Sequence, residues 1–110
     1  MKVLVFGYSD NPDRYSYLAA KLLEDYKHET IKFNPRIDDP KSVDNNFDTV
    51  TLYVSKPIAD KFQDFLLGLN TKRFIFNPGT ENDQLEEKLK IKGVDVVRGC
   101  TLVMLRTSQF

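Results

Sequence analysis

A chain of 110 residues has room for one hydrophobic core and not for two, so residues 1–110 are read as one domain. Sixteen Lys and Arg balance sixteen Asp and Glu, which leaves no global field to draw in nucleic acid or an anionic membrane; any anion site has to be built locally. With no charged leader, no apolar run of transmembrane length, and a lone Cys100 that has neither a disulfide partner nor a CxxC companion, the sequence predicts a cytoplasmic, metal-free protein.

Residues 2–6, KVLVF, are apolar on both faces, as in a strand buried within a parallel sheet. The turn Gly7-Tyr8-Ser9-Asp10-Asn11-Pro12 follows. Then Tyr15, Leu18, Ala19, Leu22, Leu23 and Tyr26 recur at spacings of three and four, predicting a helix with that stripe toward the core. Pro12 suits its first turn, and Asp10, Asn11 or Asp13 is expected to cap it. Residues 29–33, ETIKF, form a second strand ended by Asn34-Pro35. Residues 36–46 are charged and turn-rich and read as a surface crossover.

Strand character returns over 48–54, DTVTLYV. Pro57 opens a helix whose stripe is Ile58, Phe62, Phe65, Leu66 and Leu69. A strand at 72–76 runs into Asn77-Pro78-Gly79. Thr80 with Asp83 suggests a capping box for a third helix to about residue 92, ended by Gly93. VDVV at 94–97 is the last strand, and TLVML after Cys100 is a short helix or a further apolar edge. The alternation predicts an α/β domain with an open five-stranded parallel sheet, order 2-1-3-4-5, and helices on both faces. In such sheets ligands bind outside the carboxyl ends of the strands where the order reverses, here between strands one and three.

At that point the Gly7 turn offers a sharp bend, the Ser9 hydroxyl and the positive end of a helix, which together suit a pyrophosphate. The alternative is a capped strand-to-helix turn with no ligand. A GxGxxG fingerprint is missing, and Asn34-Pro35-Arg36 stands where an NAD site carries an acid for the ribose, so ordinary NAD binding is disfavoured. No GxxxxGK[ST] is present. An arginine at that position fits a nucleotide with an extra ribose phosphate, a feature that coenzyme A and NADP share.

Taken together, Gly7-x-Ser9-x-x-Pro12 with Arg14 and Ser16-Tyr17, Asn34-Pro35-Arg36, DTVTLYV running into Lys56-Pro57, Asn77-Pro78-Gly79 with Glu81-Asn82, and Cys100 after the last strand resemble the small stand-alone CoA-binding domain family. That family is Rossmann-like and similar to the nucleotide-binding domain of the succinyl-CoA synthetase alpha subunit. The resemblance covers nearly the whole chain. It implies that Tyr8, Ser9, Asp10 and Asn11 line the pyrophosphate of CoA or an acyl-CoA, with Arg14 as a second phosphate contact. Arg36 would then face the ribose phosphate, Val54, Ser55 and Lys56 border the adenine or ribose, and Asn77, Pro78 and Gly79 flank the pantetheine arm. Tyr8 stands where the family usually has Ala, and the crossover at 36–47 is short. Those departures fit a second reading, a protein-interaction module, with or without a homodimer, that keeps the fold and has lost its ligand.

Tyr8 and Tyr53 are candidates for stacking on adenine, while the other aromatics read as core. No grouping of His, Asp and Ser or of metal-binding residues is suggested, so a non-catalytic binder or sensor of a small nucleotide ligand is expected, with no metal and no nucleic acid. The single His28 is expected to be exposed at the end opposite the loops. Cys100 offers thiol–disulfide exchange with CoA, against the alternative of a small buried apolar residue.

Overall fold

The computed structural model describes residues 1–110. Five strands, β1 (Lys2–Phe6), β2 (Glu29–Phe33), β3 (Asn46–Leu52), β4 (Asn70–Phe76) and β5 (Asp95–Arg98), pair in parallel in the order β2-β1-β3-β4-β5. This is the expected sheet. Between them run α1 (Tyr15–Asp25), α2 (Lys56–Lys61), α3 (Gln63–Gly68), α4 (Asp83–Ile91) and the closing α5 (Thr101–Arg106). The crossover before β3 contains one 3₁₀ turn, Pro40–Ser42, whose Lys41 amide donates to the Asp39 carboxylate.

Alternation along β1 divides the core. Leu4 and Phe6 point to one face, where they meet Ala59 of α2, Leu66 of α3, and Leu85 and Leu89 of α4. Aromatic packing dominates this side: Phe6 lies parallel to Phe33 with ring centroids 5.1 Å apart and edge-on to Phe62 at 5.4 Å. Val3 and Val5 point to the other face, where Ala20 and Leu23 of α1 and Leu105 of α5 close a much smaller cluster.

Four local expectations change. The buried face of α1 is Ser16, Ala19, Ala20 and Leu23, so Tyr15, Leu18 and Tyr26 lie outside. Three small residues let the helix approach the sheet closely, Leu23 packs with Val3 and Val5, and Tyr15, Leu18 and Tyr26 turn away. Pro12 precedes the helix rather than opening it, and Arg14 occupies the N-cap with no side-chain cap bond. The helix expected from Pro57 is two short helices that meet at Phe62, whose amide is shared between the Ile58 and Ala59 carbonyls while its ring packs under Phe6.

The cap of α4 is Asn82 instead of Thr80. Its Oδ1 accepts from the Leu85 amide, and the Glu86 carboxylate accepts from the Asn82 amide at 3.0 Å. Thr80 instead donates its hydroxyl to the Asn77 carbonyl. TLVML is helical, as α5, and His28 is half-buried at the amino ends of the strands, its ring 5.3 Å from that of Phe110.

Glu86 is nearly fully buried and also accepts from Arg98 Nε at 2.7 Å, which ties α4 to β5. The Arg98 guanidinium, helped by the Asn82 amide, holds the Glu86 carboxyl below its ordinary value of 4.5. A carboxylate depressed by folding stabilises fully above its unfolded pKa, and that stability is lost as pH falls through the lower folded value. Urea unfolding midpoints should therefore decline below pH 4.5 in the wild type and decline less steeply in Glu86→Gln, which begins from a lower midpoint. Equal slopes in the two proteins would show that Glu86 is not the group responsible.

Candidate functional site

A cleft of about 500 Å³ opens at the carboxyl ends of β1, β2, β3 and β4, where the strand order reverses. Its volume lies within the range of small-molecule sites. Gly7, Tyr8, Ser9, Arg14, Asn34, Arg36, Val54, Ser55, Pro78 and Gly79, all singled out in the sequence, line it.

The floor forms because β1 ends on a glycine. Gly7 has φ +100°, and a Cβ there would lie 2.7 Å from Val54 Cγ1 and 2.9 Å from the Tyr53 carbonyl carbon and oxygen. Only a residue without a side chain lets the turn after β1 run this close to the end of β3. The Gly7 and Tyr8 amides both donate to the Phe33 carbonyl, so the turn is fastened to β2 as well.

Most amides of the loop are then spent on the loop itself. Ser9 N–H donates to Ser16 Oγ, Asn11 N–H to Ser9 Oγ, and Asp13 N–H to Asn11 Oδ1. The first turn of α1 is different: the amides of Tyr15, Ser16 and Tyr17 have no acceptor within the chain, and Arg14 supplies no cap. An uncapped N-terminus on an eleven-residue helix presents donors and the positive end of the helix dipole to an anion. Tyr15 and Ser16 border the cleft, with the Arg14 side chain beside them and without an ionic partner. Of the residues 8–11 that the resemblance sets along a pyrophosphate, the Tyr8, Ser9 and Asn11 amides have acceptors within the chain and the Asp10 amide has none, while the helix start, expected as an anion-facing end, keeps its amides at 15–17 free.

On the opposite wall, Asn34 Oδ1 accepts from the Arg36 amide at 2.9 Å, and the Asn34 carbonyl receives the Ile37 and Asp38 amides. Asn34 thus builds the turn that projects Arg36, whose exposed side chain has no ionic partner. The Tyr8 ring packs against Tyr17 with centroids 6.4 Å apart, and the Lys32 ammonium lies 5.3 Å from its centre. Tyr53 contributes to the floor while its hydroxyl is buried without a well-formed hydrogen bond, although Thr51 and Thr101 stand nearby; burial pushes the phenol up to about 12.

Other residues singled out in the sequence lie elsewhere. Asp10, Asn11 and Pro12 are exposed on the outer rim of the loop, outside the lining of the cleft. Lys56 pairs with Asp60 one helical turn on, at 2.8 Å, away from the cleft wall. Asn77 is buried behind the wall: its Nδ2 donates to Thr51 Oγ1 and to the Leu52 carbonyl, and its Oδ1 accepts from the Thr101 amide. Cys100, half-buried at the start of α5, is outside the lining too. Asp13, Tyr15, Ser16, Pro35, Ile58 and Thr80 complete the cleft and were not anticipated as site residues. No group of three or more His, Cys, Asp or Glu side chains stands where it could hold a metal ion, and no helix is long and apolar enough to cross a membrane.

A parallel sheet in the order 2-1-3-4-5, with a cleft at its reversal point walled by an uncapped helix start, defines a Rossmann-like domain of the kind that receives nucleotides. The chain belongs to the CoA binding domain family, whose model matches residues 1–106. It is 28% identical to the uncharacterised protein YneT of Bacillus subtilis (strain 168), across 87% of this chain and 78% of that one. A crystal structure of an uncharacterised protein superimposes with a TM-score of 0.89 at 39% identity, covering 99% of this chain and 97% of the other. A hypothetical protein from Pyrococcus horikoshii OT3 shares the fold, with a TM-score of 0.84 at 17% identity over 96% and 82% of the two chains.

Proposed function

We infer that this domain is a non-catalytic binder of coenzyme A or an acyl-CoA, serving as a sensor or regulatory module. The observation that carries this reading is the start of α1, where the Tyr15 and Ser16 amides, both without acceptors, and the unpaired Arg14 border the cleft. A pyrophosphate would satisfy those donors, each charge-assisted contact being stronger than its neutral counterpart. Arg36 stands across the cleft as the guanidinium for the ribose phosphate, and Pro78 and Gly79 border the path of the pantetheine arm. The titratable side chains in the wall are Asp13, Arg14, Arg36, Tyr8, Tyr15 and Tyr53, a set suited to gripping a polyanion and lacking a nucleophile paired with a base.

Thermal unfolding in the presence of CoA, dephospho-CoA, NADP and ADP tests this directly. A ligand that binds only the folded state stabilises by about 2.7 kcal/mol at a hundred times its Kd, which moves the midpoint of a domain of this size by several degrees. CoA should give the largest shift, and Arg36→Glu should bring CoA down to the level of dephospho-CoA. No shift with CoA at millimolar concentration would overturn the reading. An intact preference for CoA in Arg36→Glu would place the ribose phosphate away from Arg36.

A further inference from the structure

We propose that α1 is a self-association surface through which two copies of this chain pair antiparallel about a two-fold axis. On α1 most of the large apolar side chains lie outside the buried face, which is made of three small residues and Leu23. Tyr15, Leu18 and Tyr26 are 72%, 38% and 47% exposed, and Leu22 between them is only partly buried, whereas Ser16, Ala19 and Ala20 lie against the sheet. At 100° per residue the outward four fall within one narrow stripe.

The stripe is its own complement when reversed. An aromatic stands at each end and a leucine at each inner position, so an antiparallel copy sets Tyr15 against Tyr26 and Leu18 against Leu22, twice over, as an isologous contact requires. The charges flanking it obey the same reversal. Arg14 and Asp25 lie on the same edge of the stripe near its opposite ends, and neither has an ionic partner within its own chain. The two-fold operation brings Arg14 of each copy beside Asp25 of the other; a parallel pairing would leave the two residues at opposite ends of the seam and unpaired. Lys21, further around the helix, stays in solvent.

Eleven helical residues span about 16 Å, less than a standard interface of about 800 Å² per partner needs, so the association is weak and reversible. Because Arg14 and Tyr15 also border the cleft, the second copy's Asp25 would sit at its mouth.

Sedimentation velocity over a concentration series tests the pairing. The wild type should shift toward twice its mass with rising concentration, and Leu18→Glu should remain a single chain throughout. Asp25→Arg should weaken association by about tenfold, since it turns two attractions into repulsions, and adding Arg14→Asp to it should restore association. A wild type that stays monomeric across the series, or a double exchange that fails to recover what Asp25→Arg lost, overturns the proposal. Circular dichroism of each variant confirms that the fold is intact.

Discussion

Replacing Gly7 by alanine should cost about 2–5 kcal/mol of stability, the sum of a left-handed backbone penalty of about 1–2 kcal/mol and an overpacking penalty of about 1–3 kcal/mol. Both arise at this residue. Its φ of +100° is one that side-chain-bearing residues avoid, and the new methyl would meet Val54 Cγ1 at 2.7 Å and the Tyr53 carbonyl at 2.9 Å. The Val54 side chain can give way; the Tyr53 backbone cannot, because its amide is held by the Phe6 carbonyl at 2.8 Å. Relief therefore has to come from the Gly7 turn itself, which would shift the start of α1 and the cleft with it. Gly79→Ala is the matched control: its φ is +88°, yet nothing lies within 4 Å of the added carbon. Urea unfolding of the two variants separates the terms, with Gly79→Ala showing only the backbone part. Equal losses at both sites would mean that the close approach at Gly7 is not the dominant cost.

Asn77→Ala is the second large effect, expected at about 2–4 kcal/mol. One buried amide side chain ties three elements: Nδ2 reaches β3 at Thr51 Oγ1, 2.7 Å, and the Leu52 carbonyl, 2.8 Å, while Oδ1 receives the Thr101 amide at the start of α5, 2.9 Å. Thr51 and Thr101 also bond each other through their hydroxyls at 2.7 Å. Removing the amide leaves a buried N–H and a buried carbonyl short of partners, each costing about 1–3 kcal/mol. Asn77→Asp is the sharper test. It keeps the acceptor for the Thr101 amide but puts a carboxylate oxygen beside the Leu52 carbonyl, so it should unfold nearly as easily as the alanine variant at neutral pH. It should recover part of the loss in acid, where a protonated carboxyl can donate again. An Asn77→Ala variant as stable as the wild type would remove Asn77 from the framework and return it to the candidate contacts of the cleft.

The two variants act on the cleft from opposite sides. Gly7 decides how closely the loop after β1 lies on β3; Asn77 holds the wall formed by β4 against β3 and α5. Neither needs to touch a ligand to matter for one, since a cleft whose walls shift by an ångström loses the geometry that positions its donors.

The five strands and their order were legible in the chain because β-branched and aromatic runs bounded by Gly, Pro and Asn leave few alternatives, and right-handed crossovers reduce the topologies to one or two. The location of the cleft came with the order of the strands. So did the turn residues Gly7 and Asn34, whose backbone roles are dictated by residue type. The sequence alone also carried the family, since the motifs from Gly7 to Cys100 keep their order along nearly the whole chain. Three things depended on the folded molecule. The inward face of α1 is set by how near the helix must come to the sheet, so Ser16 and Ala20 join Ala19 and Leu23 there, and the hydrophobic stripe is right at Ala19 and Leu23 but wrong at Tyr15, Leu18 and Tyr26. The side chain of Asn77 is turned from ligand contact to scaffold because Thr51 and Thr101, distant in sequence, converge on it. The free donors at the cleft lie at Tyr15 and Ser16, because the Gly7, Tyr8, Ser9, Asn11, Asp13 and Arg14 amides before them are consumed by Phe33, Ser16, Ser9 and Asn11. Hydrogen-bond satisfaction is a property of the whole loop in space, and local residue type does not encode which groups are left over.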